Sequence, residues 1–436
     1  MFLQNAIQKR IDDDNPVKVA LIGAGKFGSM FLSQVPSTKG IEVLVIADLK
    51  PDNAIKACKN VGWSDDLINK TKFVDTGADA IKLNEVEVVI EATGFPAAGI
   101  EHARQAFQNG KHIIMVNVEA DVLAGAALAK EANSAGVVYS MAYGDQPALT
   151  AEIVEWARAS GFNVTSAGKG TRYQPIYHKS SPDTVWDYYG LTHEEARKAG
   201  MNPKMFNSFL DGTKSGLEMA AIANACDLEV PTNGLLFPPC GMDDLANILK
   251  PLEFGGLLEK NGQVEVVSSL ERDGRPVFKD LRWGVYAVLE APNDYAASCF
   301  KQYGMNTDDT GKYSAMYKPF HLIGMELNIS VFSAALLNQA TGQTKKFTGD
   351  VVSTTKKNLK KGEILDGEGG ATVWGKLVPS KLSLSMEALP IGLAHRIKLK
   401  NEIEENKIIT WNDVDFSSND PAISYRRKME KDFKKS

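Results

Sequence analysis

A glycine-rich segment near the start of the chain has the spacing of a phosphate-binding turn. In VALIGAGKFG, Gly23, Gly25 and Gly28 form a G-x-G-x-x-G pattern between a short apolar run and a helical stretch. The first glycine permits a tight turn, the second lets the backbone approach a pyrophosphate, and the third lets the helix pack on the strand. The alternative is a glycine turn in a domain that binds no nucleotide. We favour the nucleotide because Asp48 ends the next apolar run, 20 residues after Gly28.

Asp48 also indicates which coenzyme is bound. A carboxylate at this place accepts hydrogen bonds from ribose hydroxyls and repels a 2′-phosphate, so NAD is favoured over NADP, a preference that the nearby Lys50 could soften. The segments EATG (91–94) and NVEAD (117–121) end later strands and reach the same sheet edge. The predicted coenzyme contacts are Gly23, Ala24, Gly25, Lys26, Phe27, Gly28, Asp48, Ala92, Thr93, Gly94 and Asn117.

Two lysines are candidates for polarising a carbonyl oxygen during hydride transfer. Lys169 lies between glycines in SAGKGTRY, and Lys214 lies in FLDGTKSGLEM. If the second segment opens a helix, Asp211, Lys214 and Glu218 share one face, and the two acids would orient the lysines or bind hydroxyls. An exposed salt-bridged face is the alternative. Convergence of the two acids with Glu326 would make a divalent metal site, which the sequence leaves open.

Five residues are candidates for substrate binding. Arg172 could bind a phosphate or carboxylate. Asn117 and Glu119 follow a strand and would contact the substrate or the nicotinamide, or else cap the loop. His321 and Glu326 interrupt an apolar stretch, where a core histidine at a domain junction is the alternative to a binding or proton-relay role.

Alternating apolar runs and helical stretches place these residues in an α/β fold. Residues 1–150 predict a doubly wound parallel sheet of the Rossmann type. Residues 151–345 predict an α/β substrate and oligomerisation domain, with a long helix at 321–342 returning to the core. Residues 346–436 predict a small, mostly β domain that ends in a solvated charged tail, YRRKMEKDFKKS. The predicted strands of the first domain are 17–25, 41–48, 86–94, 111–117 and 137–144.

Bulk composition narrows the class of protein. The 436 residues carry a net charge of −5, which argues against nonspecific nucleic-acid binding. No apolar run is long enough for a membrane span, and no signal peptide is apparent. The four cysteines have no C-x-x-C spacing and suggest neither zinc nor a disulfide framework. We therefore expect a cytoplasmic protein with a small-molecule substrate and neither nucleic acid nor membrane as partner.

Several motifs together resemble a known group of enzymes. GAGKFG, EATG and VNVEAD are similar to the nucleotide domain of homoserine dehydrogenase. The fuller resemblance is to homoserine-dehydrogenase-like oxidoreductases with a C-terminal SAF domain, including the 1-deoxy-D-xylulose 5-phosphate reductoisomerase-like family. The motifs that carry it are NVEADV, SAGKGT, FLDGTKSGLEMAAIANA, KPFHLIGMELNISV and LKKGEILDGEGG.

This resemblance implies three domains, a homo-oligomer, and reduction of a phosphorylated keto-sugar with NADPH. Asp48 departs from the family pattern, since an NADP enzyme is expected to have a neutral or basic residue there. The expected function is an NAD(P)-dependent oxidoreductase that acts on a small polar sugar-derived or hydroxy/oxo substrate. Homoserine dehydrogenase and a non-catalytic NAD-binding sensor or scaffold are the alternatives.

Overall fold

The chain divides into two compact units in the computed structural model, which describes residues 3–434. The first unit contains the N-terminal residues through Glu152 together with His321–Lys345. The second contains Ile153–Phe320 and the residues described from Lys346 onward. Three domains with boundaries at 150 and 345 stay a prediction. Within the described residues, no helix is both long enough and apolar enough to cross a lipid bilayer.

A six-stranded parallel sheet forms the centre of the first unit, in the order β3-β2-β1-β4-β5-β6. This order confirms the predicted Rossmann-type fold. The strands are β1 Val17–Ile22, β2 Ile41–Ala47, β3 Lys72–Val74, β4 Val88–Glu91, β5 His112–Met115 and β6 Tyr139–Met141. The first eight helices are α1 Gln4–Asp12, α2 Lys26–Gln34, α3 Pro51–Asn60, α4 Asp65–Lys70, α5 Gly77–Ile81, α6 Pro96–Gln108, α7 Val118–Ala135 and α8 Gln146–Ala159.

One later helix joins the core of this unit. Val331 and Phe332 lie on Asn328–Leu337 and are buried in the same apolar cluster as Leu21 of β1. The predicted helix at 321–342 is therefore too long at both ends. Its first part is interrupted at Gly324, which has a φ of +76°, a left-handed conformation that breaks a right-handed helix.

A mixed four-stranded sheet, in the order β10-β9-β7-β8, forms the centre of the second unit. β7 runs parallel to β8 and antiparallel to β9, which pairs antiparallel with β10. The strands are β7 Asn163–Thr171, β8 Gln263–Ser268, β9 Val285–Glu290 and β10 Tyr313–Lys318. The helices are α9 Val185–Tyr189, α10 His193–Lys198, α11 Pro203–Leu210, α12 Thr213–Cys226, α13 Leu245–Ile248 and α14 Asp294–Gln302, and Asn328–Leu337 of the first unit is α15.

Short strands continue the second unit after Lys346. They form an antiparallel β11–β13 pair and a three-stranded sheet in the order β12-β14-β15. The remaining elements are β11 Gly349–Thr355, β12 Ile364–Asp366, β13 Val373–Pro379, α16 Ser380–Met386, β14 His395–Leu399, β15 Val414–Asp415 and α17 Pro421–Lys434. Helix α12 contacts β7 and β8 as well as β11 and β13, so it joins the mixed sheet to this smaller β region.

The expectation of a solvated charged tail is wrong for residues up to Lys434. They form α17, in which Arg426 is fully buried. The Arg426 guanidinium lies 2.5 Å from the Asp350 carboxylate and 2.9 Å from that of Glu430. The charged residues of this segment therefore do not all face solvent, since Arg426 and Glu430 belong to a buried ion-pair network.

Candidate functional site

The glycine-rich turn joins β1 to α2 and has the shape of a phosphate cradle. Gly23 has a φ of +96°, and a Cβ added there would lie 2.7 Å from the Ala92 carbonyl oxygen. A Cβ at Gly28 would collide with the Gly23 carbonyl oxygen, so the helix packs closely on the turn. Gly25 is exposed, and no heavy atom lies within 4 Å of where its Cβ would be. Backbone atoms therefore pack closely against the turn at Gly23 and Gly28, whereas the space beside Gly25 is open.

The start of α2 offers backbone N–H groups to an anion at this open point. Gly25 is the N-cap residue, and the first turn, which begins with Lys26 and Phe27, contains no acidic side chain. The first N–H groups of a helix have no partner within the helix, and they lie at the positive end of its dipole. A pyrophosphate therefore fits the residues present.

Asp48 follows β2 and is hydrogen-bonded to the turn. Its carboxylate accepts from the Ala24 N–H at 3.1 Å and from the Lys50 N–H at 3.0 Å. A carboxylate offers about four acceptor positions, so these two bonds leave capacity for ribose hydroxyls. The half-buried Asp48 is thus positioned beside the predicted phosphate site.

The strand-end segments at β4 and β5 are connected by polar side chains. Asn117 caps α7 by accepting from the Ala120 N–H at 3.1 Å, and it donates to the Phe95 carbonyl at 2.9 Å. Thr93 donates its hydroxyl to Glu91 at 2.5 Å. Asn117 therefore makes the loop cap that was the alternative to a coenzyme or substrate contact, and the Ala92–Gly94 turn that it supports is exposed at Thr93 and Gly94.

Lys169 and Glu218 form a buried ion pair in the second unit. Lys169 extends from β7 and Glu218 from α12, and their exposed fractions are 6% and 3%. Taking two charges out of water is unfavourable unless each compensates the other. The structure therefore brings together one predicted lysine and one predicted acid.

Asp211 forms a different ion pair. It precedes α12 instead of sharing its face, because Gly212 has a φ of +93° and the helix begins at Thr213. One Asp211 oxygen accepts from the Thr213 N–H at 2.9 Å, and the other accepts from Lys356 at 2.7 Å. Asp211 and Lys356 are both buried. The proposed role of Asp211 in orienting Lys169 or Lys214 has no direct contact to support it.

The remaining predicted residues lie at several places. Lys214 is the second residue of α12 and is half-buried. Arg172, also half-buried, donates a long 3.4 Å hydrogen bond to the Tyr177 hydroxyl. In the first unit, Glu119 lies in the first turn of α7.

His321 lies in the irregular segment before α15, and Glu326 lies in the turn that follows it, where it accepts from the Leu322 N–H at 3.1 Å. Neither residue lies within a regular helix, contrary to the pattern expected from the sequence. For residues 3–434, there is no group of three or more His, Cys, Asp or Glu side chains that could hold a metal ion.

Sequence reasoning missed three charged or titratable residues at these sites. Glu91 is fully buried at the end of β4, and His102 contacts it at 3.2 Å. One Glu91 oxygen has no hydrogen-bond partner among the described residues. Glu91 could have been found from the sequence, because it is an acidic residue at the end of an apolar strand. Lys356 had none, because it lies 145 residues from Asp211.

Two family models match consecutive parts of the chain. Residues 23–142 match the NAD-binding domain of homoserine dehydrogenase, and residues 144–327 match the catalytic domain of the oxidoreductase DRL. No curated protein matches the chain.

Three solved structures illustrate the likeness of part of the fold. Myo-inositol dehydrogenase from Lactobacillus casei, in complex with NAD(H) and myo-inositol, is 15% identical over 39% of this chain and 50% of that chain, with a TM-score of 0.30. The Corynebacterium glutamicum myo-inositol dehydrogenase is 12% identical over 39% and 48%, with a TM-score of 0.29. KijD10, a 3-ketoreductase from Actinomadura kijaniata in complex with NADP, is 16% identical over 37% and 50%, with a TM-score of 0.26.

The chain spans about half the length of these solved structures. At such scores this likeness contributes nothing to the functional assignment. The two family models do contribute, because they place an NAD-binding domain directly before an oxidoreductase catalytic domain. The chain therefore has, in this order, a segment similar to an NAD-binding domain and a segment similar to an oxidoreductase catalytic domain.

Proposed function

We propose that the chain transfers hydride between a nicotinamide coenzyme and a small polar oxo or hydroxy compound derived from a sugar or a hydroxy acid. The observation that carries this proposal is the buried Lys169–Glu218 ion pair, which lies inside the segment matched by an oxidoreductase catalytic domain. When bound, the coenzyme supplies or accepts the hydride. The protein must then orient the substrate, stabilise the charge on its oxygen and exclude water.

Lys169 is the residue we assign to the substrate oxygen. Its ammonium would donate a hydrogen bond to a carbonyl oxygen and pass a proton to that oxygen as the alkoxide forms. A charge in a buried site acts more strongly on a neighbouring oxygen than it would in water. Glu218 would hold the Lys169 Nζ in place beside the substrate oxygen. Glu218 is thus a positioning residue in this scheme.

The turn at Gly23–Gly28, with Asp48 beside it, would hold the coenzyme. The Gly25 N–H and the first N–H groups of α2 would bind the pyrophosphate, and the Asp48 carboxylate would accept from ribose hydroxyls. We propose that NAD is preferred to NADP, because the negative charge of Asp48 repels a 2′-phosphate.

The most concrete version of the reaction is a 1-deoxy-D-xylulose 5-phosphate reductoisomerase-like activity, in which a skeletal rearrangement precedes reduction. The match of residues 144–327 to the oxidoreductase DRL, along with the SAGKGT and FLDGTKSGLEM motifs, supports this version. Arg172 would bind the phosphate. Homoserine dehydrogenase is the second candidate, because residues 23–142 match the NAD-binding domain of that enzyme.

An assay that monitors oxidation or reduction of the coenzyme by its absorbance tests the proposal. Purified protein is assayed with phosphorylated ketoses, tetronates and homoserine, each with the NAD and the NADP couple. Lys169→Met is expected to lower kcat by roughly 10²- to 10⁴-fold, the contribution of a positioned acid or base, while coenzyme affinity stays unchanged.

Lys250→Met is the matched control for that variant. Lys250 is also buried and forms an ion pair with Asp308 at 2.9 Å, so its loss also leaves an unpaired carboxylate. We expect the control to lower stability but not kcat of the folded fraction. Turnover by Lys169→Met within a few-fold of the parent would refute the assigned role.

We also propose that the chain assembles into a homo-oligomer and that its C-terminal β region is SAF-like. Large apolar side chains at one end of β10 and beyond it support a protein contact, since Met316 and Phe320 are 41% and 49% exposed. Light scattering after size-exclusion chromatography measures the mass. A monomer at micromolar concentration would contradict the first part of this proposal.

A further inference from the structure

A cavity of about 210 Å³ lies in the second unit, between the start of α12, the 233–237 loop and strand β13. We propose that this cavity is a second small-molecule site, which binds a small organic anion. Its carboxylate or phosphate would pair with Lys376, and its flat or apolar body would lie against Trp374 and Phe237. This inference goes beyond the proposed oxidoreductase reaction and does not depend on it.

The cavity lies on a different face of α12 from the Lys169–Glu218 pair. Gly216 lines the cavity, and Glu218 follows it by two residues, so the two positions are about 200° apart around the helix. A Cβ at Gly216 would lie 3.1 Å from the Gly375 carbonyl oxygen, which shows that this face packs on β13. The cavity and the ion pair are therefore separate sites.

Lys376 is the charged group of the cavity, and within the part of the chain that the structure describes its ammonium has no protein partner. Three other lysines of the second unit are buried, and each forms an ion pair with a carboxylate. Lys376 is half-buried, yet among residues 3–434 no hydrogen bond or ion pair of its ammonium is found. Burial lowers its pKa, and no neighbouring acid raises the pKa again. Lys376 thus differs from the three paired lysines of this unit, which are Lys169, Lys250 and Lys356.

The aromatic side of the cavity is held in place by hydrogen bonds and ring stacking. His178 stacks on Trp374 with ring centroids 4.0 Å apart. The His178 ring is fixed at both nitrogens, by the Asp211 carbonyl at 2.7 Å and by the Tyr173 hydroxyl at 2.9 Å. Burial lowers the pKa of His178, which favours the neutral ring. The cavity thus has flat surfaces for a ligand and one cationic group.

The 233–237 loop is similarly constrained. Phe237 has a φ of +51°, a strained conformation for a residue with a side chain, and its ring stacks on Tyr173 at 4.0 Å. The buried Glu265 accepts from the Phe237 N–H at 3.3 Å and from the Leu236 N–H at 3.1 Å. The Lys376 side chain lies against Gly234, where an added Cβ would be 3.0 Å from its Cε. The wall is therefore formed before any ligand arrives.

The size of the cavity limits the ligand. Pockets for drug-sized molecules have volumes of roughly 300–1,000 Å³, so 210 Å³ suits a smaller metabolite with a single anionic group. A lysine binds carboxylate and phosphate alike as a point charge. The shared requirement is a small anion with a flat or apolar body, and the choice between the two anionic groups is left to experiment.

Titration of the full-length protein with benzoate, phenyl phosphate and inorganic phosphate tests the proposal. Calorimetry measures affinity, and tryptophan fluorescence, compared with a Trp374→Phe variant, locates the bound ring. We expect saturable binding of benzoate or phenyl phosphate, with at least tenfold weaker binding to Lys376→Met. Tighter benzoate binding would identify a carboxylate ligand, and tighter phenyl phosphate binding a phosphate ligand.

Lys381→Met is the matched control, because Lys381 is exposed and only five residues away from Lys376. It is expected to bind the probes as the parent does. The Tm of Lys376→Met should equal or exceed that of the parent, since a desolvated unpaired charge is removed. The proposal is overturned if neither aromatic probe saturates, if Lys376→Met binds as tightly as the parent, or if its Tm falls clearly.

Discussion

Replacing Gly25 by alanine separates coenzyme binding from folding. Gly25 has a φ of −70° and an extended conformation, which alanine adopts without strain. Its added Cβ would meet no heavy atom within 4 Å. The free energy of unfolding should therefore change by less than about 0.5 kcal/mol, as for a surface substitution.

The same methyl group would occupy the space through which the backbone approaches the pyrophosphate. Loss of one hydrogen bond between a backbone N–H and a charged phosphate oxygen weakens binding by about 1.5–3 kcal/mol. This range corresponds to a roughly 10- to 150-fold increase in Kd. Because the loss affects the phosphates, it should be similar for NAD and NADP.

Calorimetric titration with each coenzyme measures the Kd, and urea denaturation measures stability. Gly28→Ala is the comparison variant, since its Cβ would collide with the Gly23 carbonyl oxygen inside the fold. Overpacking of that kind lowers stability by about 1–3 kcal/mol. A Gly25→Ala protein that binds both coenzymes as tightly as the parent would show that the pyrophosphate does not lie on this turn.

The remaining predictions concern three carboxylates. Asp48→Ser is expected to raise NADP affinity relative to NAD by roughly tenfold, because one repulsive charge is removed; calorimetry with both coenzymes measures the ratio. Burial raises the pKa of Asp121 to about 6, so the folded protein keeps a proton that the unfolded chain loses near pH 4. The free energy of unfolding should then fall by about 3 kcal/mol between about pH 4 and pH 6, and Asp121→Asn should remove this slope in denaturation curves at several pH values. Lys356→Met leaves Asp211 buried without its cation, so the free energy of unfolding measured by urea denaturation should fall by about 3–5 kcal/mol. The double variant Lys356→Met/Asp211→Leu should regain part of that free energy, because no unpaired carboxylate is left buried.

The parallel sheet could be predicted because its signals are local. Five of the six strands are short apolar runs that end at a turn, whereas β3 Lys72–Val74 carries no such signal and was not predicted. The glycine spacing with Asp48 defines which strand end faces a phosphate. β1, β2 and β4 lie inside the predicted segments. The strand order confirms the doubly wound class because such folds have few topologies.

The pairing of charged residues could not be predicted, because it depends on elements far apart in the chain. Lys169 and Glu218 were both candidates, but they lie 49 positions apart, and nothing in the intervening sequence shows that they meet. The helical spacing grouped Asp211 with Glu218 on one face. The left-handed Gly212 interrupts that helix and turns Asp211 toward Lys356.

The buried guanidinium of Arg426 has a consequence for synthesis on the ribosome. Asp350 is fully buried at the start of β11, and its cation lies 76 residues later. While the intervening chain is being translated, this carboxylate cannot be enclosed without a severe desolvation penalty. The second unit should therefore stay open around β11, exposed to chaperones and proteases, until α17 has emerged from the exit tunnel.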